Sequence, residues 1–219
     1  MNSFLEKPEK YIIGETYIKF DFVYNDDSIN TIKNAYLSQV GKLPSESFKY
    51  SNEIKISIEF DEGSTKAKIV AWGMIIYLGI GNYGSFRTGI EHIVSDARQV
   101  SEFVVSHLKN DQRISDNNIV RYERRTGIPG RINAVYRRID YLEKNLTNLS
   151  QNEVQNKIAS IKQEISNITY ILDPIELELF INELEAVYSN DLPEPDERRT
   201  NYLINRYGLK PNDHIELSF

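Results

Sequence analysis

The sequence predicts an α+β fold, in which an N-terminal strand–helix–strand unit and a long amphipathic helix precede a mainly helical C-terminal bundle. In the N-terminal part, apolar residues alternate with polar ones, and a period of two is typical of a half-buried strand. Farther along, apolar residues recur every three or four positions, which is the period of an amphipathic helix. The chain has 219 residues, 40% of them hydrophobic, and that is enough material for a substantial core.

The N-terminal elements follow from this alternation. Segment 11–24 alternates aromatic or aliphatic residues with polar ones, so it is predicted to be a strand. A polar turn at 25–28 precedes apolar residues at helical spacing in 29–40, which predicts a helix. Segment 53–60 reads EIKISIEF and has the clearest strand pattern in the chain.

Residues 69–86 form an uncharged run, IVAWGMIIYLGIGNYGSF. Its central apolar stretch, 69–80, is shorter than the roughly 20 residues that a bilayer-spanning helix needs. We therefore interpret the run as a buried core element. A segment that inserts into a membrane is the alternative.

Three glycines in this run, Gly79, Gly81 and Gly84, match the spacing G-x-G-x-x-G. In dinucleotide-binding proteins this loop follows a strand and opens a helix, so that the pyrophosphate meets the helix N-terminus. Here, no second strand ending in an acidic residue follows the helix. We therefore interpret the glycines as positions of close packing and predict no cofactor.

The longest predicted helix begins after Ser85, a suitable N-cap, and continues to Leu108 with apolar residues at helical spacing. His92 and Asp96 share one face of it, and two ligands at this spacing can begin a metal site. The pattern offers no third ligand, so we predict a solvated, salt-bridged face and no metal.

The C-terminal half is predicted to be mainly helical. A polar loop at 110–118 separates region 1–110 from region 119–219, with one continuous domain as the alternative. Residues 119–122 could form a short strand. Pro129 suits the first turn of a helix that reaches 146.

A short polar turn then leads into a second helix, 154–172, and two helices joined in this way predict an antiparallel hairpin. Asp173 and Pro174 begin a third helix, which is expected to extend to 187. A short helix at 197–207 and a closing strand at 215–219 complete the prediction.

Charge is unevenly distributed in this chain, whose net charge is −6. Residues 121–144 include seven basic and three acidic residues, whereas residues 151–197 include two basic and eleven acidic ones. An acidic chain is a poor general binder of nucleic acid or anionic membrane. The basic segment is therefore the place to look for a localised anion site.

Six arginines in the basic segment are the candidate site residues: Arg121, Arg124, Arg125, Arg131, Arg137 and Arg138. Cations near the start of a helix oppose its dipole, and a bound anion would remove that conflict. The anion could be a phosphate, a nucleic-acid backbone or the acidic side chains of a partner. The acidic segment 176–196 of the same chain is an equally available partner.

The sequence contains no constellation that predicts catalysis, although catalytic groups can converge from distant positions, so the enzyme class stays open. Cysteine is absent, which excludes disulfides and thiol nucleophiles. Residues 1–10 lack the apolar stretch of a signal peptide, so a cytoplasmic location is expected. Abundant Ile, Asn, Lys and Tyr are typical of AT-rich bacterial genomes.

These observations favour a non-enzymatic interaction or assembly protein, a subunit or accessory of a prokaryotic multi-protein system, that forms homo-oligomers or binds a protein partner. Two alternatives belong to other classes. One is a membrane-acting effector that uses segment 69–86. The other is a phosphate- or nucleic-acid-binding accessory protein that uses the arginines of segment 121–138.

Overall fold

The computed structural model describes residues 10–20, 55–60, 66–73, 85–110 and 119–209, together with residues 27, 29–31 and 34. The strands are β1 (Lys10–Phe20), β2 (Lys55–Phe60), β3 (Lys66–Gly73), β4 (Ile119–Thr126) and β5 (Gly208–Leu209). The helices are α1 (Phe86–Lys109), α2 (Ile128–Lys144), α3 (Gln151–Ile171), α4 (Pro174–Asn182), α5 (Ala186–Ser189) and α6 (Glu197–Tyr207). The mixed α+β prediction is thus confirmed.

The strands form one antiparallel sheet in the order β2-β3-β1-β4, and β5 pairs with the beginning of β1. The pairing of β4 with β1 runs from Thr126 opposite Gly14 to Ile119 opposite Phe20. Strands from both sides of the predicted boundary at 110–118 therefore belong to the same sheet. The division into regions 1–110 and 119–219 stays a prediction.

The uncharged segment begins inside this sheet. Residues 69–73 belong to β3, which lies between β2 and β1. Gly79, Gly81 and Gly84 lie outside the described residues. No helix in the described part of the chain is long and apolar enough to cross a membrane. The described residues at 27, 29–31 and 34 are helical, while the rest of that predicted helix and the predicted strand at 215–219 lie outside the described ranges.

Helix α1 begins and packs as its sequence predicts. The Ser85 hydroxyl accepts a hydrogen bond of 3.2 Å from the Thr88 backbone N–H and so caps the helix. The apolar face of α1 enters the core on the side of β1 that carries Thr16. There Thr16 Oγ1 donates a buried hydrogen bond of 2.6 Å to Ser101 Oγ. This pairing satisfies two hydroxyls that would otherwise be costly to bury.

Two glycines allow the tight passage from β4 into α2. A Cβ atom on Gly127 would lie 1.4 Å from the Ile12 carbonyl oxygen, so only glycine fits at this approach to β1. A Cβ atom on Gly130 would lie 1.9 Å from Thr126 Oγ1. The Gly-Ile-Pro-Gly sequence is therefore required by close packing as well as by its tendency to start a helix.

The predicted hairpin of α2 and α3 is confirmed. A 3₁₀ turn (Leu146–Asn148) joins the two helices, and Ser150 forms a capping box with Glu153 at the start of α3. On α3, Ile161 and Ile165 are buried, whereas Val154 is only half-buried. The first turns of α3 therefore lie closer to solvent than the rest of the helix.

Two predicted elements needed correction. The strand expected at 119–122 extends to Thr126, because β1 supplies a backbone partner for the charged residues that follow. The third helix, expected to reach 187, is interrupted between α4 and α5. At this break the Glu183 carboxylate accepts a hydrogen bond from the Phe86 backbone N–H, at 3.1 Å. The chain turns there to contact the first turn of α1.

Candidate functional site

The six predicted arginines do not gather in one place. Arg121, Arg124 and Arg125 lie on β4, and the other three lie on α2. Arg124 and Arg125 both border a cleft between α1 and the sheet, whereas none of the arginines of α2 lines that cleft. The structure therefore divides the predicted cluster into separate environments.

The arginines of β4 are paired with nearby carboxylates. Arg124 forms an ion pair with Glu102 of α1, while Arg121 and Arg125 both contact Glu123 within β4. None of these carboxylates belongs to the acidic segment 176–196. Pairing with that segment, which the sequence offered as one alternative, does not occur among the described ion pairs.

Arg131, in the first turn of α2, is also paired. Its guanidinium lies 3.5 Å from the Glu164 carboxylate of α3, which Arg199 approaches at 3.6 Å. Gly127, the N-cap of α2, provides no side-chain cap. Arg124, Arg125 and Arg131 thus engage separate carboxylates instead of converging on a single anion.

The remaining two arginines line a groove between α2 and α3, which we call the α2–α3 groove. Its volume is about 370 Å³. The lining consists of three cationic side chains, two small polar ones, one tyrosine and one aliphatic residue: Arg137, Arg138, Lys157, Asn156, Ser160, Tyr141 and Ile161. No carboxylate is among the lining residues, so the groove is positively charged.

The three cations form no ion pair with a carboxylate among the described residues. Arg138 donates a hydrogen bond of 2.7 Å to Ser160 Oγ across the groove. The Lys157 ammonium lies 5.3 Å from the centre of the Tyr141 ring, within the range of a cation–π contact. The charges of Arg137, Arg138 and Lys157 therefore remain available to a ligand.

The acidic residues of α2 that lie near the groove in sequence are engaged elsewhere. Asp140 accepts two hydrogen bonds from the Arg87 guanidinium, at 2.7 and 2.6 Å, and they help to raise the pKa of Arg87. Glu143 lies close enough to Tyr188 for its charge to help raise the pKa of the Tyr188 phenol. Both partners lie outside the α2–α3 groove.

The same is true of the acidic residues of α3. Ser150 donates hydrogen bonds to the Glu153 carboxylate from its hydroxyl at 2.6 Å and from its backbone N–H at 2.8 Å. These bonds, with a smaller contribution from the charge of Lys157, lower the pKa of Glu153. Glu164 is shared by Arg131 and Arg199. The local acids therefore do little to neutralise the groove.

Apolar surface accompanies this charge. Tyr141 is 54% exposed, and Leu146, in the turn that follows α2, is 49% exposed. Ile161, which lines the groove, is buried. A ligand in the groove would thus meet both cations and an aromatic face, a combination common in protein–protein interfaces.

A second cleft, of about 450 Å³, lies between α1 and the sheet. Arg98, Arg124 and Arg125 line it, but so do Glu15 and Glu102. Since two of its five charged residues are acidic and Arg124 is already paired, this cleft is close to electrically balanced. It is a weaker anion site than the α2–α3 groove.

The metal candidates on α1 are not brought together with a third ligand among the described residues. His92 is exposed on α1 and Asp96 is half-buried one turn later. No three histidine, aspartate or glutamate side chains gather as a metal site among the described residues.

Sequence reasoning identified two of the groove's cations, Arg137 and Arg138, and missed Lys157, Ser160 and Tyr141. Arg137 and Tyr141 are four residues apart, a spacing that places both on one face of a helix. That signal was present in the sequence. The register between α2 and α3, which brings Arg138 to Ser160, was not.

No protein-family model, curated protein or solved structure matches this chain.

Proposed function

We propose that this protein is a non-enzymatic interaction protein, a subunit or accessory of a prokaryotic multi-protein system, that binds an acidic segment of a protein in the α2–α3 groove. The observation that carries the proposal is the set of three groove cations without a carboxylate partner among the described residues. Desolvating such charges is favourable only when an anion replaces their water. Carboxylates of a partner protein would do so.

The composition of the groove favours binding over catalysis. General acid–base chemistry usually needs a histidine or a carboxyl group within hydrogen-bond reach of the substrate. The lining residues include neither. Cations, an amide, a hydroxyl and an aromatic ring are suited to recognition.

The small number of groove cations favours a protein ligand over a nucleic acid. The net charge of −6 repels any polyanion at long range, and three phosphate contacts would support only weak, salt-sensitive binding of a nucleic acid. A short acidic peptide segment requires only a local match. The exposed Tyr141 adds apolar contact area, which is useful against a protein surface.

A labelled oligoglutamate peptide provides the test. Fluorescence anisotropy at low ionic strength should show binding to the wild-type chain, and the affinity should fall with added salt. Reversing the charge of the groove with Arg137→Glu, Arg138→Glu and Lys157→Glu should weaken binding at least about tenfold, since the loss of about 1.4 kcal/mol corresponds to that factor.

The matched control reverses three exposed arginines away from the groove, Arg98→Glu, Arg121→Glu and Arg198→Glu, and so produces the same change in net charge. It should retain most of the affinity. Equal loss in the two triple variants would show that only net charge matters and would refute the groove as the site. Tighter binding of a labelled oligothymidylate than of oligoglutamate would instead favour the nucleic-acid alternative.

A further inference from the structure

One segment of this chain has the composition that the α2–α3 groove should recognise. Residues 173–196 contain eight acidic residues and no basic ones. Glu178, Glu185, Asp191 and Glu194 are exposed in this segment. No ion pair joins these four carboxylates to a lysine or arginine within the described ranges.

The acidic segment also displays apolar side chains beside its charges. Ile175 is 59% exposed and Val187 is 48% exposed. The groove side has its own exposed apolar pair, Tyr141 and Leu146. The two surfaces therefore match in charge and in apolar character.

Part of the acidic segment is packed into the core of its own molecule. Phe180 is fully buried, and its ring packs edge-on against Tyr136 at 5.8 Å. Tyr188 is buried as well. Helices α4 and α5 are thus held in place by the core.

The end of the segment is held by α3. Ser166 donates a hydrogen bond of 2.6 Å to the Pro193 carbonyl, and the Asn167 side chain accepts one of 2.8 Å from the Asp196 N–H. Among the described ion pairs, none joins this segment to Arg137, Arg138 or Lys157. A groove and an acidic surface that are not paired with each other within one molecule can pair between two.

We infer that the protein self-associates through contact between the α2–α3 groove of one copy and the acidic segment 173–196 of a second copy. This inference rests on the proposed function and names the protein segment that the groove takes. Because the two contacting surfaces are different, the contact either occurs twice in a closed dimer or continues from copy to copy into a ring or chain. In a dimer, a ring or a chain alike, salt screens the opposite charges and so weakens the contact between copies.

The test is the solution mass of the full chain, measured by light scattering over a range of protein concentrations at low and high ionic strength. The wild-type chain is expected at twice the monomer mass or more at low salt, and as a monomer at high salt. A wild-type chain that stays monomeric at every concentration in low salt overturns the inference.

Charge-swapped variants identify the contact. The groove variant carries Arg137→Glu, Arg138→Glu and Lys157→Glu. The acidic-segment variant carries Glu178→Lys, Glu185→Lys and Glu194→Lys. The groove variant should be monomeric, because its two surfaces then carry the same sign of charge. The acidic-segment variant should be monomeric or only weakly associated, because three reversals among its eight acidic residues reduce the charge of segment 173–196 from −8 to −2.

An equimolar mixture of the two variants should associate as pairs of unlike chains, since the acidic-segment variant keeps an unchanged groove and the groove variant keeps an unchanged acidic segment. A mixture that stays monomeric while the wild-type chain associates would place the interface elsewhere and overturn the inference. The triple variant at Arg98, Arg121 and Arg198 should associate like the wild-type chain. Lys157 is half-buried and the other substituted residues are exposed, so circular dichroism is used to establish that every variant folds before they are compared.

The oligoglutamate assay separates the two proposals. A monomeric wild-type chain that still binds oligoglutamate in its groove overturns self-association and leaves the proposed function standing. A wild-type chain that neither self-associates nor binds oligoglutamate overturns both the self-association and the proposed function.

Discussion

Arg206 of α6 and Glu15 of β1 form a two-pronged ion pair across 191 positions of sequence. Its nitrogen–oxygen distances are 2.8 and 2.5 Å, and the Glu15 side chain is fully buried. Arg206 also donates a hydrogen bond of 2.7 Å to the Tyr17 hydroxyl. Burial alone would lower the pKa of Arg206, but the hydrogen bonds and the charge of Glu15 raise it above its ordinary value. The ion pair between Arg206 and Glu15 thus links α6, the last described helix, to β1, the first strand.

Arg206→Ala should destabilise the protein by about 3–5 kcal/mol, because it leaves the Glu15 carboxylate buried without its cation. Urea unfolding followed by circular dichroism measures the change. The double variant Glu15→Gln with Arg206→Ala should be less destabilised than the single variant. A decrease of less than about 1 kcal/mol in the free energy of unfolding of Arg206→Ala would contradict this prediction and would mean that water reaches the Glu15 carboxylate.

Tyr136→Phe should leave stability unchanged or raise it by about 1 kcal/mol. The Tyr136 hydroxyl is buried and has no hydrogen-bond partner in the part of the chain that the structure describes, and an unsatisfied buried donor costs free energy. The phenylalanine ring would keep the contacts with Phe180 and with the Arg87 guanidinium, which lies 4.9 Å from the ring centre. Thermal unfolding tests this, and a clear fall in melting temperature would contradict it.

Tyr188 should make the fold sensitive to alkaline pH. Burial, and then the charges of Glu143 and Glu185, raise the pKa of Tyr188 from 10.0 to about 12. In the unfolded chain the phenol loses its proton near pH 10, whereas the folded protein keeps it, so stability falls as pH rises from 10 to 12. Below pH 10 both states are protonated and this contribution is fully present.

The comparison is with Tyr188→Phe, whose free energy of unfolding should fall less than that of the wild-type chain over that pH interval, by about 2 kcal/mol. The slope is the informative quantity, since removing a hydroxyl can also change stability by an amount that does not depend on pH. Parallel pH profiles for the two proteins would show that Tyr188 titrates normally in the fold.

Gly127→Ala should be one of the most damaging small substitutions in the described part of the chain. The added Cβ would meet the Ile12 backbone, which cannot move aside as a side chain can. We expect a loss of about 3 kcal/mol or more. Gly14→Ala is the graded control, because its Cβ would lie 2.8 Å from the Ala97 side chain, and it should cost about 1 kcal/mol. Chemical denaturation of both variants tests this order.

The elements that sequence reasoning predicted well are those whose signals are local. Helix α1 was predicted from its apolar spacing and from Ser85, and the hairpin of α2 and α3 from two amphipathic segments joined by a short turn. The full length of β4 was missed, because residues 123–126 are mostly charged and owe their strand conformation to pairing with β1. That pairing is a tertiary interaction, and the strand propensity of the individual residues does not predict it.

The candidate site shows the same limit. The sequence indicated excess positive charge in 121–144, but it could not show which arginines find carboxylates. Arg124 pairs with Glu102 and Arg131 with Glu164, and both partners are more than twenty positions away. Once these ion pairs are assigned, Arg137 and Arg138 are identified as arginines that form no ion pair among the described residues.

Chemical-shift mapping tests the central claim most directly, because it locates a ligand on the folded chain. Titration of ¹⁵N-labelled protein with oligoglutamate should shift the backbone amides of Arg137, Arg138, Tyr141, Lys157 and Ser160, and added salt should reverse the shifts. The result that would contradict the claim is an unchanged α2–α3 groove, with the shifts confined to the cleft around Arg98 and Arg124 or absent altogether.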